Sequence, residues 1–318
     1  MKYRTLGNSD LEISAVGLGT WAYGNDTFGK VDDQQSIKAI RAAVDAGINL
    51  IDTAPAYGAG HSEEVVGKAI EGIRDQVVVA SKCGTHRDGA AYIRDLSPER
   101  IRTEIENSLQ RLNIEQIDLY QIHWPDPDTP LEDSVEELIK LKEEGKFKYL
   151  GVCNFQLERL KKISGMTDII SLQPQYSLLK RDIENELLPY LMENNLGTLN
   201  YGTLGGGILS GKYKERPDFD DEKDNRDGFY PFFREENWEQ TQELISLLRE
   251  IAEAHKKSPA QVAINWSINR PGVTTALVGA KTEKQARENA AAAEFELTEE
   301  EMISLTKKSD EVIANLET

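Results

Sequence analysis

Short apolar runs recur along the chain, separated by stretches in which apolar residues return every three or four positions. The runs lie at Ala15–Leu18, Asn49–Ile51, Val77–Ser81, Ile117–Ile122, Tyr149–Cys153, Ile169–Leu172, Gly197–Tyr201 and Thr275–Val278. Each has strand length and little alternation, as expected of strands covered on both faces. Helical spacing follows at Asp33–Ala46, Ser62–Ile70, Pro98–Leu112, Leu131–Glu144, Leu157–Ile163, Ile183–Asn194, Pro259–Asn269 and Glu283–Ala292. Ser97-Pro98 and Ser258-Pro259 place an N-cap serine before a proline suited to the first helical turn, and Gly47 and Gly145 sit just past helix ends. Eight strand-helix units predict an α/β chain folded as a closed (β/α)8 TIM barrel rather than an open sheet.

Three departures from that alternation complete the expected architecture. Tyr3–Leu6 and Leu11–Ser14 flank the turn-forming Gly-Asn-Ser-Asp and predict an N-terminal hairpin. A long loop after the seventh strand, Gly211–Asn237, carries Tyr213, Phe219, Phe229, Tyr230, Phe232 and Phe233, which suit a surface covering something apolar, whereas its acidic half, Asp218–Asp224, reads equally well as solvated chain. An extra C-terminal helix is expected over Thr298–Lys308, with Thr298 and Glu301 at capping-box spacing. No linker-like tract divides the chain, so residues 1–318 read as one barrel domain.

Charge narrows the function. With 55 acidic and 37 basic residues, the formal net charge of -18 disfavours nucleic acid and anionic lipid, so an anionic ligand needs a local site. No apolar run reaches membrane-spanning length and no leader is apparent, pointing to a soluble cytoplasmic protein. Cys83 and Cys153 form no disulfide framework, and His61, His86, His123 and His255 show no HxH or HExxH spacing, which argues against a metal hydrolase.

Barrel sites lie at the carboxyl ends of strands, and here those ends are polar. The second strand ends on Asp52 with Tyr57 on the following loop, the third on Lys82, the fourth on His123, the fifth on Asn154, the sixth on Gln173 and Gln175, and the seventh on Tyr201. Hydride delivery to a carbonyl carbon leaves an oxygen that must be hydrogen-bonded and protonated away from competing water. Tyr57 can supply the proton if Lys82 stabilises its phenolate, Asp52 can keep Lys82 charged, and His123 can orient the oxygen. Taken singly, each residue also fits an ordinary structural role: an ion-pair lysine, a turn-forming aspartate or a packed tyrosine. A Schiff-base aldolase using Lys82 is the enzymatic rival, opposed by Asp52, which favours the unreactive ammonium.

The chain resembles the aldo-keto reductases, in the branch of bacterial NADPH-dependent reductases and potassium-channel β subunits. The resemblance rests on Val16-Gly17-Leu18-Gly19-Thr20-Trp21, Gly47-Ile48-Asn49-Leu50-Ile51-Asp52-Thr53-Ala54, Tyr57-Gly58, Ser62-Glu63, Ile117-Asp118-Leu119-Tyr120-Gln121-Ile122-His123, Gly151-Val152-Cys153-Asn154-Phe155 and Gly207-Ile208-Leu209-Ser210-Gly211-Lys212. It implies reduction of aldehydes or ketones by NADPH, with NAD an alternative, and Asp52, Tyr57, Lys82 and His123 as a catalytic tetrad with Tyr57 as the acid. It also leaves a nucleotide-sensing module with incidental turnover as the non-enzymatic alternative. The oligomeric state stays open.

A Rossmann fingerprint is absent, because Gly58-Ala59-Gly60 lacks the third glycine. The phosphate signal is instead Val278-Gly279-Ala280-Lys281-Thr282, leading into a helix whose Thr282 and Gln285 have capping-box spacing, an arrangement expected to gather free N–H groups and an ammonium. The resemblance assigns the 2'-phosphate end of NADP to Gly279, Ala280, Lys281, Thr282, Gln285, Glu288 and Asn289. It assigns the nicotinamide amide to Asn154 and Gln175, its ring to Tyr201, and the pyrophosphate to Gly202, Thr203, Leu204, Gly205, Gly206, Gly207 and Lys212, and it counts Gly19, Thr20, Trp21, Asp52 and Cys153 among the cofactor-binding residues. Cys153 stands where relatives often have serine, and Gly205-Gly206-Gly207 where they often have arginine. Substrate would meet Trp21, Tyr23, Tyr57, His123, Trp124 and the aromatics of the long loop.

Overall fold

The computed structural model describes residues 1–88, 91–219, 224 and 226–317. Strands β1 (Tyr3–Thr5) and β2 (Glu12–Ser14) form the expected antiparallel hairpin. Strand β3 (Val16–Gly19) then begins the barrel, followed by helix α1 (Asp33–Asp45), β4 (Leu50–Asp52), α2 (His61–Ile70) and β5 (Val78–Cys83). A second antiparallel hairpin, β6 (Thr85–Asp88) and β7 (Ala91–Arg94), precedes α3 (Pro98–Leu112). The chain continues through β8 (Ile117–Ile122), α4 (Leu131–Glu143), β9 (Phe147–Cys153), α5 (Leu157–Ser164), β10 (Ile169–Gln173), α6 (Leu187–Glu193) and β11 (Gly197–Asn200). After the long loop and α7 (Arg226–Phe229) come α8 (Glu235–His255), α9 (Pro259–Ile268), β12 (Thr275–Gly279), α10 (Glu283–Ala290) and α11 (Glu299–Ala314).

The parallel strands close in the order β10-β11-β12-β3-β4-β5-β8-β9, which is the (β/α)8 barrel anticipated from the apolar runs. The barrel interior has an apolar lower storey. Leu50, Ala80, Leu119, Ile170, Leu199 and Leu277 pack there against Leu6, Leu11 and Ile13 of the N-terminal hairpin, which plugs the amino-terminal end. Parallel register then stacks the functional layer above it: Gly19 pairs with Asp52, Lys82 with Gln121, Gln121 with Gly151, and Gln173 with Cys153. A Cβ on Gly151 would come within 3.2 Å of Gln121 Cγ and 2.6 Å of Ser171 Oγ, so the glycine makes room for the amide layer.

Three elements differ from expectation. The predicted helix Ile183–Asn194 begins only at Leu187, after a 3-10 turn at Asp182–Glu184. That start puts Pro189 in the first turn, where its missing N–H leaves no intrahelical bond unmade. Helix α8 occupies a stretch assigned no structure, although Leu244, Ile245, Leu248, Ile251 and Ala252 bury a face with helical spacing. The β6–β7 hairpin is a further difference: both strands are only four residues long, and β7 is exposed along its whole length. The capping boxes at Ser258 and Thr298 form, and α11 runs past Lys308 to Ala314. Most of the acidic half of the loop, residues 220–223, lies outside the described residues. Among the described residues no helix is long and apolar enough to cross a membrane.

Candidate active site

Asp52 is the last residue of β4, and Lys82 lies on β5 two residues past Ala80, the partner of Asp52, so both side chains point into the barrel. Both are buried, and Lys82 Nζ donates to Asp52 Oδ2 at 2.7 Å, to the Thr53 carbonyl at 2.8 Å and to Tyr57 Oη at 3.2 Å. Asp52 Oδ1 accepts from Gln173 Nε2 at 2.8 Å and Gln121 Nε2 at 3.2 Å. Gln121 Oε1 in turn accepts from Gln173 Nε2 at 3.3 Å and from the Cys153 thiol at 3.7 Å. A buried ion pair with its remaining donors and acceptors satisfied in this way is costly to break, by about 3–5 kcal/mol when one partner is removed.

Burial works against the charge on Lys82, but Asp52 and the Tyr57 oxygen outweigh it and hold the ammonium above its ordinary range. For Tyr57 burial dominates and raises the phenol, with Lys82 pulling the other way. The phenol is therefore protonated at neutral pH with a cation already in place for its anion. His123 follows β8, its ring edge-on to Tyr57 at 5.8 Å between centroids. Burial and then the Lys82 charge push its pKa well down, so the imidazole is neutral. Its Nδ1 is buried without an acceptor, and the tautomer protonated at Nε2 avoids stranding a donor there. Trp21 stacks on Tyr57 at 5.9 Å, while Phe28 and Phe229 meet Trp21 edge-on at 5.1 and 5.0 Å, giving the phenol an apolar screen.

These groups form the floor of a cavity of about 680 Å³ across the carboxyl ends of the strands. One arm runs past Tyr201, Gly202–Leu204, Gly206, Gly207 and Lys212 towards Gly279, Ala280, Lys281, Gln285, Glu288 and Asn289. Tyr201 Oη donates to Asn154 Oδ1 at 2.9 Å, and Asn154 Nδ2 donates to the His123 carbonyl at 3.0 Å. Asn154 adopts a left-handed φ of 60°, a conformation asparagine tolerates better than most residues and one that often marks functional positions. Arg226 of α7 joins this arm, its guanidinium bonded to Asp224 and, at 3.0 Å, to the Gly206 carbonyl. Lys281 Nζ donates to the Phe28 carbonyl, and burial followed by Arg226 lowers its pKa, with Lys212 adding to the effect. On a strongly acidic protein, three cations on one groove are the donor set a phosphate-bearing dinucleotide requires. A Cβ on Gly207, at φ 101°, would enter the space 3.6 Å from Arg226 Nη1 and 4.0 Å from Lys212 Nζ. The groove therefore fits NADP in charge and in shape.

Several expected site residues lie elsewhere. Tyr23, expected against substrate, is 1% exposed and does not line the cavity. Its hydroxyl donates to the Ala280 carbonyl at 2.6 Å, so it braces the end of β12 from within the core. Cys153 lies beneath the cavity in the amide layer, Gln175 stands behind Gly202, and buried Gly205 faces Ile208, Phe232 and Leu179. Thr282 is spent as a cap, accepting from the Gln285 N–H at 3.2 Å, while Gln285 Oε1 accepts from the Lys281 N–H at 2.7 Å. Two of the N–H groups expected to be free for an anion are thus already taken. Residues not singled out beforehand include Gln121, hidden inside a strand, and Phe28, Thr85, Tyr92, Arg94 and Arg226 on the cavity wall. No group of acidic, histidine and cysteine side chains suited to a metal occurs among the described residues.

A parallel eight-stranded barrel whose mouth holds a buried Asp-Lys-Tyr cluster, a neutral histidine and a cationic dinucleotide groove defines a nicotinamide-dependent oxidoreductase of the barrel type. The family model for the Aldo/keto reductase family matches residues 15–310, and the chain belongs to that family as an NAD(P)H-dependent enzyme acting on small-molecule carbonyl compounds. It is 41% identical over 285 residues to "Aldo-keto reductase YhdN" of Bacillus subtilis, covering 88% of this chain and 85% of the relative. It is 34% identical to "NADH-specific methylglyoxal reductase" of Escherichia coli, covering 94% and 95%. The solved glycerol dehydrogenase AKR11B4 of Gluconobacter oxydans superposes with a TM-score of 0.88 at 37% identity, covering 99% of this chain and 97% of that one.

Proposed function

We propose that this enzyme reduces aldehydes or ketones to alcohols, with Tyr57 as the proton donor and NADPH preferred over NADH. The observation that carries the reading is Lys82 Nζ, shared between Asp52 Oδ2 at 2.7 Å and Tyr57 Oη at 3.2 Å. Reduced nicotinamide, when bound, supplies the hydride. As the carbonyl carbon accepts it, the π pair moves to oxygen, and that oxygen takes the proton from Tyr57 Oη. Lys82 stabilises the phenolate left behind, Asp52 with its two glutamine donors fixes Lys82, and His123 Nε2–H orients the oxygen. Trp21, Phe28 and Phe229 keep water from competing for the bond. A nucleotide-sensing role needs only the groove; the buried, mutually bonded Asp52–Lys82–Tyr57 cluster beneath it favours turnover.

Asn154 and Tyr201 are suited to the nicotinamide end, Gly202–Leu204, Gly206 and Gly207 with Lys212 and Arg226 to the pyrophosphate, and Lys281, Gln285 and Asn289 to the adenosine phosphate. The cations favour NADP; the NADH-specific relative makes NAD the competing cofactor. The test is Tyr57→Phe with NADPH affinity measured alongside turnover. We expect a loss of about 10²–10⁴-fold in kcat, the range of a positioned acid, with affinity retained. Near-wild-type turnover with intact affinity would refute the role of the phenol.

A further inference from the structure

Opposite the dinucleotide arm, the β6–β7 hairpin brings a second kind of positive charge to the cavity. Of its two arginines, Arg87 is paired with Asp26 at 2.6 Å and does not line the cavity. Arg94 lies in the same cavity wall as Tyr57, His123 and Trp124, and among the described residues no carboxylate pairs with it and no acceptor takes its N–H groups. Instead its guanidinium carbon sits 4.8 Å from the centroid of Trp124, the residue next to His123. The contact holds the guanidinium over the indole face as a cation–π pair and leaves its N–H donors unused, so the group can present them to an anion. The side chain is exposed at the cavity rim, so it can meet substrate without first giving up a partner.

Resting on the carbonyl-reductase reading above, we propose that Arg94 is a specificity-determining residue that selects carbonyl substrates bearing an anionic group, with its fork on the anion while Tyr57 and His123 hold the carbonyl oxygen. The carbonyl and the anion of one substrate would then span the cavity from its floor to the hairpin. The cation lies remote from the reacting oxygen and acts on bound substrate and transition state alike, so its contribution belongs in KM rather than kcat.

The test compares 4-oxobutanoate with butanal, and glyceraldehyde 3-phosphate with glyceraldehyde, in the full-length wild type, Arg94→Gln and Arg94→Lys. The wild type is expected to favour the anionic member of at least one pair by about tenfold in kcat/KM, the low end for a charge-assisted bond because the site is screened by solvent. Arg94→Gln removes that preference through KM with kcat unchanged and leaves the neutral aldehyde within about twofold, while Arg94→Lys restores part of it. Which pair responds identifies the anion as carboxylate or phosphate. No preference in the wild type, or an equal loss on both members of a pair in Arg94→Gln, overturns the proposal, the latter by revealing a structural stack alone. Neutral-aldehyde turnover reports on the reductase reading separately, and its absence throughout, together with that of the anionic aldehydes, overturns both.

Discussion

Lys82 and Lys281 are both drawn away from solvent at the mouth of one barrel, yet their environments act on them in opposite directions. Lys82 has an aspartate, a carbonyl and a phenol within hydrogen-bond reach, and its proton is held above the ordinary lysine range. Lys281 has a carbonyl for a partner and shares its groove with Arg226 and Lys212, and its proton is held less firmly than in a free lysine. Burial weakens both charges; at Lys82 the neighbours overcome it, and at Lys281 they do not. The first site is electrostatically complete before any ligand arrives. In the second, Arg226 is paired with Asp224, while Lys281 meets only the Phe28 carbonyl, so an incoming anion finds a cation without a carboxylate among the described residues. On the proposed function, the protein separates a fixed charge placed for proton chemistry from charges placed for binding.

Lys82→Met should break that contrast most severely. It removes the cation that stabilises the Tyr57 anion and leaves Asp52 buried without its counter-charge, so kcat should fall by about 10²–10³-fold or more, with melting temperature lowered as well. Steady-state kinetics beside a thermal melt would check it, and retained turnover would remove Lys82 from the proton path. Lys281→Ala is expected to sharpen the contrast from the other side. NADPH affinity should fall by about tenfold with NADH little changed and kcat preserved, as loss of one charge-assisted phosphate contact requires. Equal weakening of both cofactors, measured by fluorescence titration, would deny Lys281 a role in choosing between them. The smallest expected effect is that of salt: raising ionic strength from about 0.05 to 0.5 M should weaken NADPH binding several-fold while kcat at saturation stays within about twofold, because the Debye length shortens at the open groove but not in the dry floor. A kcat that tracked salt as steeply as binding would erase the distinction.

The barrel and its catalytic floor were legible because one signal carried both. Apolar runs marked the strands, and the polar residue ending each run, Asp52, Lys82, His123, Asn154 or Tyr201, marked the mouth. That rule is blind to residues within a strand. Gln121 donates to Asp52 from inside β8, flanked by Tyr120 and Ile122, where nothing in the pattern distinguishes a functional amide from a core substitution. It is equally blind to elements without a buried face. Tyr92 and Ile93 of β7 are exposed, so the hairpin that brings Arg94 to the cavity carries no hydrophobic periodicity to detect. Tyr23 departs for the opposite reason: an aromatic four residues after a glycine-rich strand end suggests a ligand contact, but its hydroxyl meets the Ala280 carbonyl and the ring lies in the core. Capping-box spacing at Thr282 marks a helix start, and the bonds made there consume N–H groups that a ligand could otherwise have used.

The N-terminal hairpin stands at the far end of the barrel from every reacting group, and its influence on them is that of an insulator. Leu6, Leu11 and Ile13 seal an apolar storey under the Asp52–Lys82 layer, so the polarisable solvent nearest to that pair lies on the cavity side alone. Field lines between the ammonium and the phenol are therefore shielded on one side only, and the permittivity governing Tyr57 is set from above by whatever occupies the cavity. With Tyr57 as the proposed acid, filling the mouth would change its strength as well as its access to water, coupling occupancy to acidity through permittivity.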